Sequence, residues 1–441
     1  MKILLATLTT QRIGGVETYL SDIIPALIER GHELAMVCEL EAEAGRESLL
    51  RDRPIELFSL RRATHSQILQ RVLDWRPDLV YGHGLNDPVL EADVLALAPS
   101  VFFVHNYHGT CISGSKRFAA PVLRPCSKPF GPSCLAYYFP RRCGGLNPIT
   151  MARMYVQQSR RLRSLRRCDA IVTHSFHMYS EYAKHGIDLS RLHRFVYYSP
   201  DQPTLRPRPN GASLPVIDDA TARRTSRGIT PDGPLQITFT GRVDGNKGIH
   251  LLIDAAPIAA RVLGRRLEVS IVGDGPMRRR LQSQASRVQA RNNQVEFEFA
   301  GWVDRQRVGE FLERTDLVVV PSVWPEPFGL VGPEAGHRGI PVAAFAVGGV
   351  GSWLVDGVNG YLAPGEPPTA AGLASAIVAC LRDSSTYARL QKGAFEMAQR
   401  FSRGSHLQEL TALFDRVLAE RQGRPNCDTI HSTATGESAR A

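Results

Sequence analysis

The stretch Leu317-Val318-Val319-Val320-Pro321-Ser322-Val323-Trp324-Pro325-Glu326-Pro327-Phe328-Gly329-Leu330-Val331-Gly332-Pro333-Glu334-Ala335 decides how the rest of the chain is read. Leu317 to Pro321 reads as a strand, and the prolines and glycines that follow read as a loop leading into the start of a helix. Proline at 327 and 333 suits a loop and a first helical turn, where its missing N–H is no loss. Glu326 and Glu334, with seven residues between them, thus flank a helix start whose N–H groups lack intrahelical partners and favour negative charge. Such a terminus can hold a diphosphate while a carboxylate takes sugar hydroxyls. An isolated pair of glutamates would more simply be two solvated side chains on a surface helix; the preceding strand and the proline-glycine loop argue for a ligand loop instead.

Strand, loop and helix recur on both sides of this stretch. Gln236–Thr240, Leu267–Val272, Val295–Phe299 and Val342–Phe345 read as strands, and Ile249–Val262, Met277–Arg291 and the region from Thr369 onward as helices. The loop Gly241-Arg242-Val243-Asp244-Gly245-Asn246-Lys247-Gly248 combines glycines that permit close backbone approach with two fixed cations for an anionic leaving group. Gly273-Asp274-Gly275 stands at another strand end and suits backbone contact with a nucleotide. Taken singly, either loop could be an ordinary turn.

The N-terminal half repeats the alternation. Lys2–Leu8, Glu33–Cys38, Ile55–Leu60, Asp78–Tyr81, Ser100–His105, Ala170–His174 and His193–Tyr198 read as strands. Helices are expected after Gly14-Gly15 and over Ser66–Trp75, Pro88–Leu97, Thr150–Arg167 and His177–His185. The expected class is α/β, with two doubly wound parallel sheets covered by helices and ligands outside the carboxyl ends of the strands. Gly14-Gly15-Val16-Glu17 lacks the three-glycine dinucleotide fingerprint, which speaks against an NAD enzyme. His105, at the end of the fifth strand, can reach a ligand in such a cleft, although a lone histidine is more often structural. The expected domains are 1–198, with a cysteine-rich basic insertion at about 109–148, and 235–400. A proline-rich connection at 199–234 joins them, and a helix at 401–421 and a small polar, disordered tail at 422–441 follow.

The net charge of +10 over 441 residues is unevenly spread. No acid occurs between Asp93 and Asp169, while Lys116, Arg117, Arg124, Lys128, Arg141, Arg142, Arg153, Arg160, Arg161, Arg163, Arg166 and Arg167 fall in that interval. The block predicts an anionic partner, a membrane surface or a lipid-phosphate-linked acceptor, met by the arginine-rich helix and by Phe130, Tyr137, Tyr138 and Phe139. A solvated basic face is the plainer alternative. With no apolar run of membrane-spanning length and no cleavage pattern, a cytoplasmic protein is expected, either free in the cytosol or peripheral to the cytosolic face of a membrane. Eight cysteines scattered over this length do not resemble a disulfide framework. Cys111, Cys126, Cys134 and Cys143 cluster in or beside the insertion, so a structural zinc site and independent thiols both stay open, the spacings lacking a close Cys-x-x-Cys pair.

Together these motifs resemble glycosyltransferase family 4, from Met1 to about residue 415. The resemblance rests on Gly14-Gly15-Val16-Glu17, Gly241-Arg242 with Lys247-Gly248, Gly273-Asp274-Gly275, Gly301-Trp302-Val303, and Glu326 with Glu334. It implies the GT-B arrangement of two facing Rossmann-like domains. It also implies a retaining enzyme that moves a sugar from a nucleotide-sugar donor to a sugar or lipid-linked acceptor, such as a surface-polysaccharide precursor. By the same resemblance Arg242 and Lys247 hold the donor diphosphate, Glu334 binds the ribose, and Glu326 with the Phe328-Gly329-Leu330 backbone orients the donor sugar. Gly241, Gly273 and Asp274 join the donor site, Gly15 approaches from the other domain, and His105 touches the sugar. No catalytic metal, further cofactor or nucleic-acid partner is implied. Two positions depart from the family: Asn106, where Asp is common, and Gly351-Ser352, where Pro-Glu often stands. Other readings on the same architecture are a nucleotide-sugar epimerase, a sugar phosphorylase, or a catalytically silent carbohydrate-binding protein. The intact Arg242, Lys247, Glu326 and Glu334 speak against the last.

Overall fold

The N-terminal alternation forms one parallel sheet in the computed structural model, which describes residues 1–51, 53–198 and 233–422. Its strands are β1 (Lys2–Thr9), β2 (Glu33–Leu40), β3 (Glu56–Ser59), β4 (Leu79–Gly84), β5 (Ser100–Phe103), β8 (Ala170–Thr173) and β9 (Leu192–Arg194), in the order β3-β2-β1-β4-β5-β8-β9. Helices α1 (Gly15–Glu29), α2 (His65–Trp75), α3 (Pro88–Ala96), α5 (Pro148–Leu165) and α6 (Phe176–Ala183) cover it. Between β5 and α5, the two-residue strands β6 (Arg117–Phe118) and β7 (Arg124–Pro125) pair antiparallel, and a short α4 (Ser133–Tyr138) follows. The second sheet is also parallel: β10 (Leu235–Thr240), β11 (Leu267–Val272), β12 (Val295–Gly301), β13 (Leu317–Val320), β14 (Val342–Phe345) and β15 (Gly360–Ala363), in the order β12-β11-β10-β13-β14-β15. Its helices are α7 (Ile249–Leu263), α8 (Arg278–Gln289), α9 (Arg305–Glu313), α10 (Val331–His337), α11 (Ala370–Leu381) and α12 (Ser384–Ala398).

Near-continuous burial along these strands explains why both sheets are parallel. β5, β8, β13 and β14 are buried at every residue, so each sheet needs a helical layer on both faces. Both sheets grow outward from their first strand and then resume on its other side, at β1/β4 and β10/β13. The loops diverging at such a switch point leave a crevice at the carboxyl ends of the strands. Two Rossmann-like halves of a GT-B fold result.

Several elements differ from the sequence reading. Helix α9 was not anticipated, because Val308, Phe311 and Leu312 give too short an apolar stripe, although Asp304 caps it by accepting from Arg307 N at 2.8 Å. Edge strand β15 escaped because four residues beginning with glycine carry little strand signal. The strand expected over His193–Tyr198 shortens to Leu192–Arg194. The proline-rich connection lies outside the described residues except for 233 and 234, and the tail except for 422.

The last helix, α13 (Arg403–Gln422), packs against the first half of the chain. Arg403 pairs with Asp22 at 2.9 Å and Arg421 with Asp169 at 3.2 Å. His406 Nε2 meets Tyr19 OH at 2.9 Å, and His406 Nδ1 donates to Val196 O at 2.9 Å. Tyr19, Tyr197 and Phe103 continue this contact into a ring cluster that also holds His83, His105 and His174. Burial keeps these imidazoles neutral: it lowers His83 and His174 to about 3 and His406 to about 4, and it pulls His105 well down with help from its histidine neighbours.

An acid limit on stability follows. In the unfolded chain these rings take a proton near their ordinary value of about 6.5, whereas in the fold they resist it, so the unfolded state binds more protons as the pH falls. Stability contributed by the neutral rings is complete above about pH 6.5 and declines down to about pH 4, where His406 itself protonates. Each histidine contributes a slope of up to about 1.4 kcal/mol per pH unit. Urea midpoints measured across this window should fall steadily with acidification, and the fall should flatten in His406→Gln. A flat wild-type profile from pH 6.5 to pH 4.5 contradicts the assignment.

Candidate active site

At the β10/β13 switch point two loops far apart in sequence come together. The β10 loop is tied down by its own side chain, since Asp244 Oδ1 accepts from Asn246 N at 2.8 Å and Lys247 N at 3.3 Å. Gly248 ends it in the left-handed region at φ 65°, and a Cβ there would lie 1.9 Å from Pro321 O, so only glycine lets this loop lie against the end of β13. Val323 N donates to Asn246 O at 2.9 Å and fixes the register of the two loops. Lys247 Nζ is thereby placed 2.6 Å from Glu326 Oε1, which also accepts from Ser322 Oγ at 2.5 Å. Burial raises the Glu326 carboxyl, but the Lys247 ammonium and the Ser322 hydroxyl outweigh it and hold the group below its ordinary range.

The segment after Glu326 is held by its carbonyls. Pro325 O accepts from Tyr107 OH at 2.6 Å, Glu326 O from Gly349 N at 2.6 Å, Pro327 O from Ser175 Oγ at 2.6 Å, and Phe328 O from Trp353 Nε1 at 2.6 Å. Tyr107 spends its one proton on Pro325, so His177 Nε2, 2.6 Å away, is the donor to the tyrosine oxygen. Two of the four donors come from the first half of the chain. The N–H groups of Phe328, Gly329 and Leu330 have no hydrogen-bond partner among the described residues. Donors without acceptors, directly before α10, make this turn receptive to an anion.

A cleft of about 410 Å³ opens over the ion pair, walled by Arg242, Asp244, Asn246, Lys247 and Trp324 on one side and by Asn106, Tyr107, His108, Ser113 to Ser115 and Gln158 on the other. The Arg242 side chain is 72% exposed and only loosely matched with Asp244 Oδ2 at 3.6 Å. Glu334 lies one turn into α10, on the far side of Phe328, and its charge is felt by Tyr197 together with that of Glu17. Arg242 and Lys247 therefore line one cleft, Lys247 carries Glu326 with it, and the Phe328–Leu330 turn follows Glu326 directly in the chain.

Other expected residues stand elsewhere. His105 is not in the wall of this cleft. Its Nε2 meets His83 Nδ1 at 3.0 Å and its ring sits among Phe103, Tyr19 and His174, while its neighbours Asn106, Tyr107 and His108 face the cleft. Gly15 is exposed with open space where a Cβ would be, and Glu17 folds back to accept from Gly14 N at 2.9 Å, so part of that motif is helix capping. Gly273 packs its α-carbon against Gly241 O, and Asp274 pairs with Arg278 at 3.1 Å. Cys111, Cys126, Cys134 and Cys143 line one small cavity in the insertion, yet among the described residues no set of three His, Cys, Asp or Glu is arranged to hold a metal ion. The insertion is anchored by Lys116, buried in an ion pair with Glu181. Sequence reading missed Ser322, Trp324, Tyr107, Ser175 and His177. Ser322 and Trp324 carried a signal by lying in the motif itself, and Tyr107 by lying in the strand-end stretch Val104 to Gly109 around His105; Ser175 and His177 carried none.

Two family models match the chain, Glycosyltransferase Family 4 over residues 13–195 and Glycosyl transferases group 1 over residues 223–397. The D-inositol 3-phosphate glycosyltransferase of Xylanimonas cellulosilytica is 35% identical over 224 residues, 49% of this chain and 49% of that protein. The glycogen synthase of Mycobacterium tuberculosis is 32% identical over 185 residues, 42% of this chain and 40% of its own length. The chain thus matches about half the length, or less, of these curated relatives. Anabaena HepE in complex with UDP-glucose has a TM-score of 0.64 at 21% identity, covering 95% of this chain and 100% of that one. WaaG, a glycosyltransferase involved in lipopolysaccharide biosynthesis, has a TM-score of 0.60 at 18% identity, covering 93% of this chain and 99% of its own. At these identities the solved structures speak for the fold.

The ion pair makes a stability prediction of its own. Removing one partner of a fully buried pair costs roughly 3–5 kcal/mol, because the other charge is stranded. The Lys247 side chain keeps 27% exposure, so Lys247→Met should cost less, about 2 kcal/mol. Adding Glu326→Gln should recover most of that loss in urea unfolding. Additive costs in the double variant contradict the pairing.

Proposed function

The chain is a GT-B glycosyltransferase of the family 4 type, and on that premise we propose that it moves a sugar from a nucleotide-sugar donor to an acceptor with retention of anomeric configuration. The observation that carries the reading is the Lys247–Glu326 pair at the switch point, flanked by Arg242 and by the unpartnered N–H groups of Phe328 to Leu330. In this reading the diphosphate lies between Arg242, Lys247 and those N–H groups. Lys247 has three donors, so it can keep Glu326 and still reach a phosphate oxygen. Glu326, kept ionised by Lys247 and Ser322, accepts from donor-sugar hydroxyls, and Glu334 takes the ribose. The HepE complex with UDP-glucose makes a uridine nucleotide the first to try.

The anomeric carbon's bond to the diphosphate breaks as its bond to the acceptor oxygen forms on the same face. The acceptor proton passes to the leaving phosphate oxygen. Fixed positive charge and oriented N–H groups stabilise the departing diphosphate, which is where charge develops. We assign no chemical step to His105, whose neutral ring packs against Phe103, Tyr19 and His174. The acceptor is taken to be a sugar or lipid-linked precursor, reached by a protein lying at the cytosolic face of a membrane. Among the described residues no helix is long and apolar enough to cross one.

A thermal-shift panel of nucleoside diphosphates and nucleotide sugars should find a ligand that raises the melting temperature in wild type and fails to do so in Lys247→Ala. With the donor in hand, Lys247→Ala and Glu334→Ala should each lower transfer by at least about a hundredfold, the size expected when a donor to developing charge is lost. EDTA should leave transfer intact. Proton NMR of the product should show the donor's anomeric configuration. An inverted product, or full activity in Lys247→Ala, overturns the mechanism.

A further inference from the structure

On the side of the first sheet away from the cleft, at the amino ends of β5 and β8, a groove of about 410 Å³ runs between α3 and α5. On the α3 side it is lined by Val89, Ala92, Leu95 and Ala96, on the α5 side by Arg160 and Arg163 with Arg167 just beyond, and Ser100, Ser164, Cys168 and Asp169 line it as well. All three arginines are exposed, and among the described residues none has a carboxylate within ion-pairing distance. The one acid lining the groove, Asp169, is already held by Arg421 and by Ser100 N. Three unneutralised guanidiniums opposite the apolar side chains of α3 match a phosphate group joined to an alkyl chain.

The surface around the groove narrows the source of that phosphate. Ile149, Arg153, Val156, Arg160, Arg163 and Arg167 follow one another by steps of three and four residues, and all are exposed, so they form a single stripe along α5 and just beyond it. The stripe is apolar at its start, where Ile149 is 77% exposed and the adjoining Leu146 79%, and it is cationic at its end. A free phosphorylated metabolite would use the arginines and leave this apolar start without purpose. An anionic bilayer uses both, with apolar side chains entering the interface and arginines on the headgroups. Helix α5 turns its other face to the cleft, where Gln158 accepts from Gly109 N at 2.7 Å.

We infer that the stripe from Leu146 to Arg167 is a bilayer-docking surface whose groove between α3 and α5 receives the phosphate of an anionic phospholipid. This deepens the membrane-facing part of the proposed function and is independent of the transfer chemistry. It also redraws the surface expected from sequence. Arg161 is buried and donates to Leu85 O and Asn86 O, Arg166 is committed to His185 O, Tyr138 is buried, and Phe130, Tyr137 and Phe139 pack against neighbouring rings.

The test is co-sedimentation of the full chain with phosphatidylcholine vesicles and with vesicles containing phosphatidylglycerol. Wild type should pellet with the anionic vesicles only, and less as salt rises. Charge reversal of Arg160, Arg163 and Arg167 to glutamate should weaken binding at least about tenfold, since each cation near an anionic leaflet contributes about fivefold in affinity. Leu146→Ser with Ile149→Ser should weaken it severalfold without changing the salt dependence. Thermal unfolding without lipid checks that both variants fold. Lys247→Ala should lose nucleotide binding and pellet as wild type does, so a failed transfer reading leaves this result standing. Equal pelleting with neutral vesicles, no pelleting, or binding that survives the triple reversal overturns the inference. So does release by inorganic phosphate beyond that by chloride of equal ionic strength, which reassigns the groove to a free phosphate ligand.

Discussion

Four consecutive carbonyls, from Pro325 to Phe328, each have a donor, and most of the site depends on this constraint. A loop of this length with two prolines cannot satisfy its own backbone, and a buried unpaired carbonyl costs about as much as a lost hydrogen bond. The chain answers with Tyr107, Gly349, Ser175 and Trp353. Because the carbonyls are held, the direction of the following N–H groups is fixed before any ligand arrives. Prior orientation of this kind lets donors act on developing charge without reorganising.

Two of those donors belong to the first sheet's half of the chain, so the ligand turn of one half is positioned partly by the other. Tyr107 and Ser175 stand just beyond β5 and β8, at the carboxyl ends where a doubly wound sheet offers its side chains. Phe328 locks the same junction from the opposite direction, its ring lying against His174 and Tyr197. A change in the angle between the halves would therefore alter this turn. The histidine cluster adds hydrogen-bonding surface to this junction without adding charge, and burial enforces the neutrality.

How much of this was legible in the sequence depended on whether the signal was local. The alternation of strands, glycine loops and helices in each half gave both parallel sheets, and the string holding Glu326 and Glu334 contained the turn whose carbonyls are held. Lys247 and Glu326 were each singled out, but their 2.6 Å contact spans 79 positions, and only the switch-point topology brings them together. The roles of Tyr107 and Ser175 were invisible for the same reason: each serves a carbonyl more than 150 positions away. His105 stands just past the end of β5, where its Nε2 meets His83 and its ring lies against Phe103 and Tyr19, outside the wall of the cleft that its neighbours Asn106 to His108 line.

The acid-free segment makes a related point about charge. Counting its cations treats them as one basic surface, whereas the fold divides them by function. Lys116 neutralises a buried Glu181, Arg161 satisfies two carbonyls of the β4–α3 turn, and Arg166 caps the end of α6 through His185 O. These are cations used where a long side chain with several donors can reach backbone that no helix or strand satisfies. Arg153, Arg160 and Arg167 have no such employment among the described residues, Arg163 makes only a 3.4 Å contact to Ser159 O in its own helix, and all four are exposed on one face. What distinguishes the two groups is the helical period of α5: positions facing α3 and the sheet are consumed internally, and positions three and four residues apart on the outer face stay available.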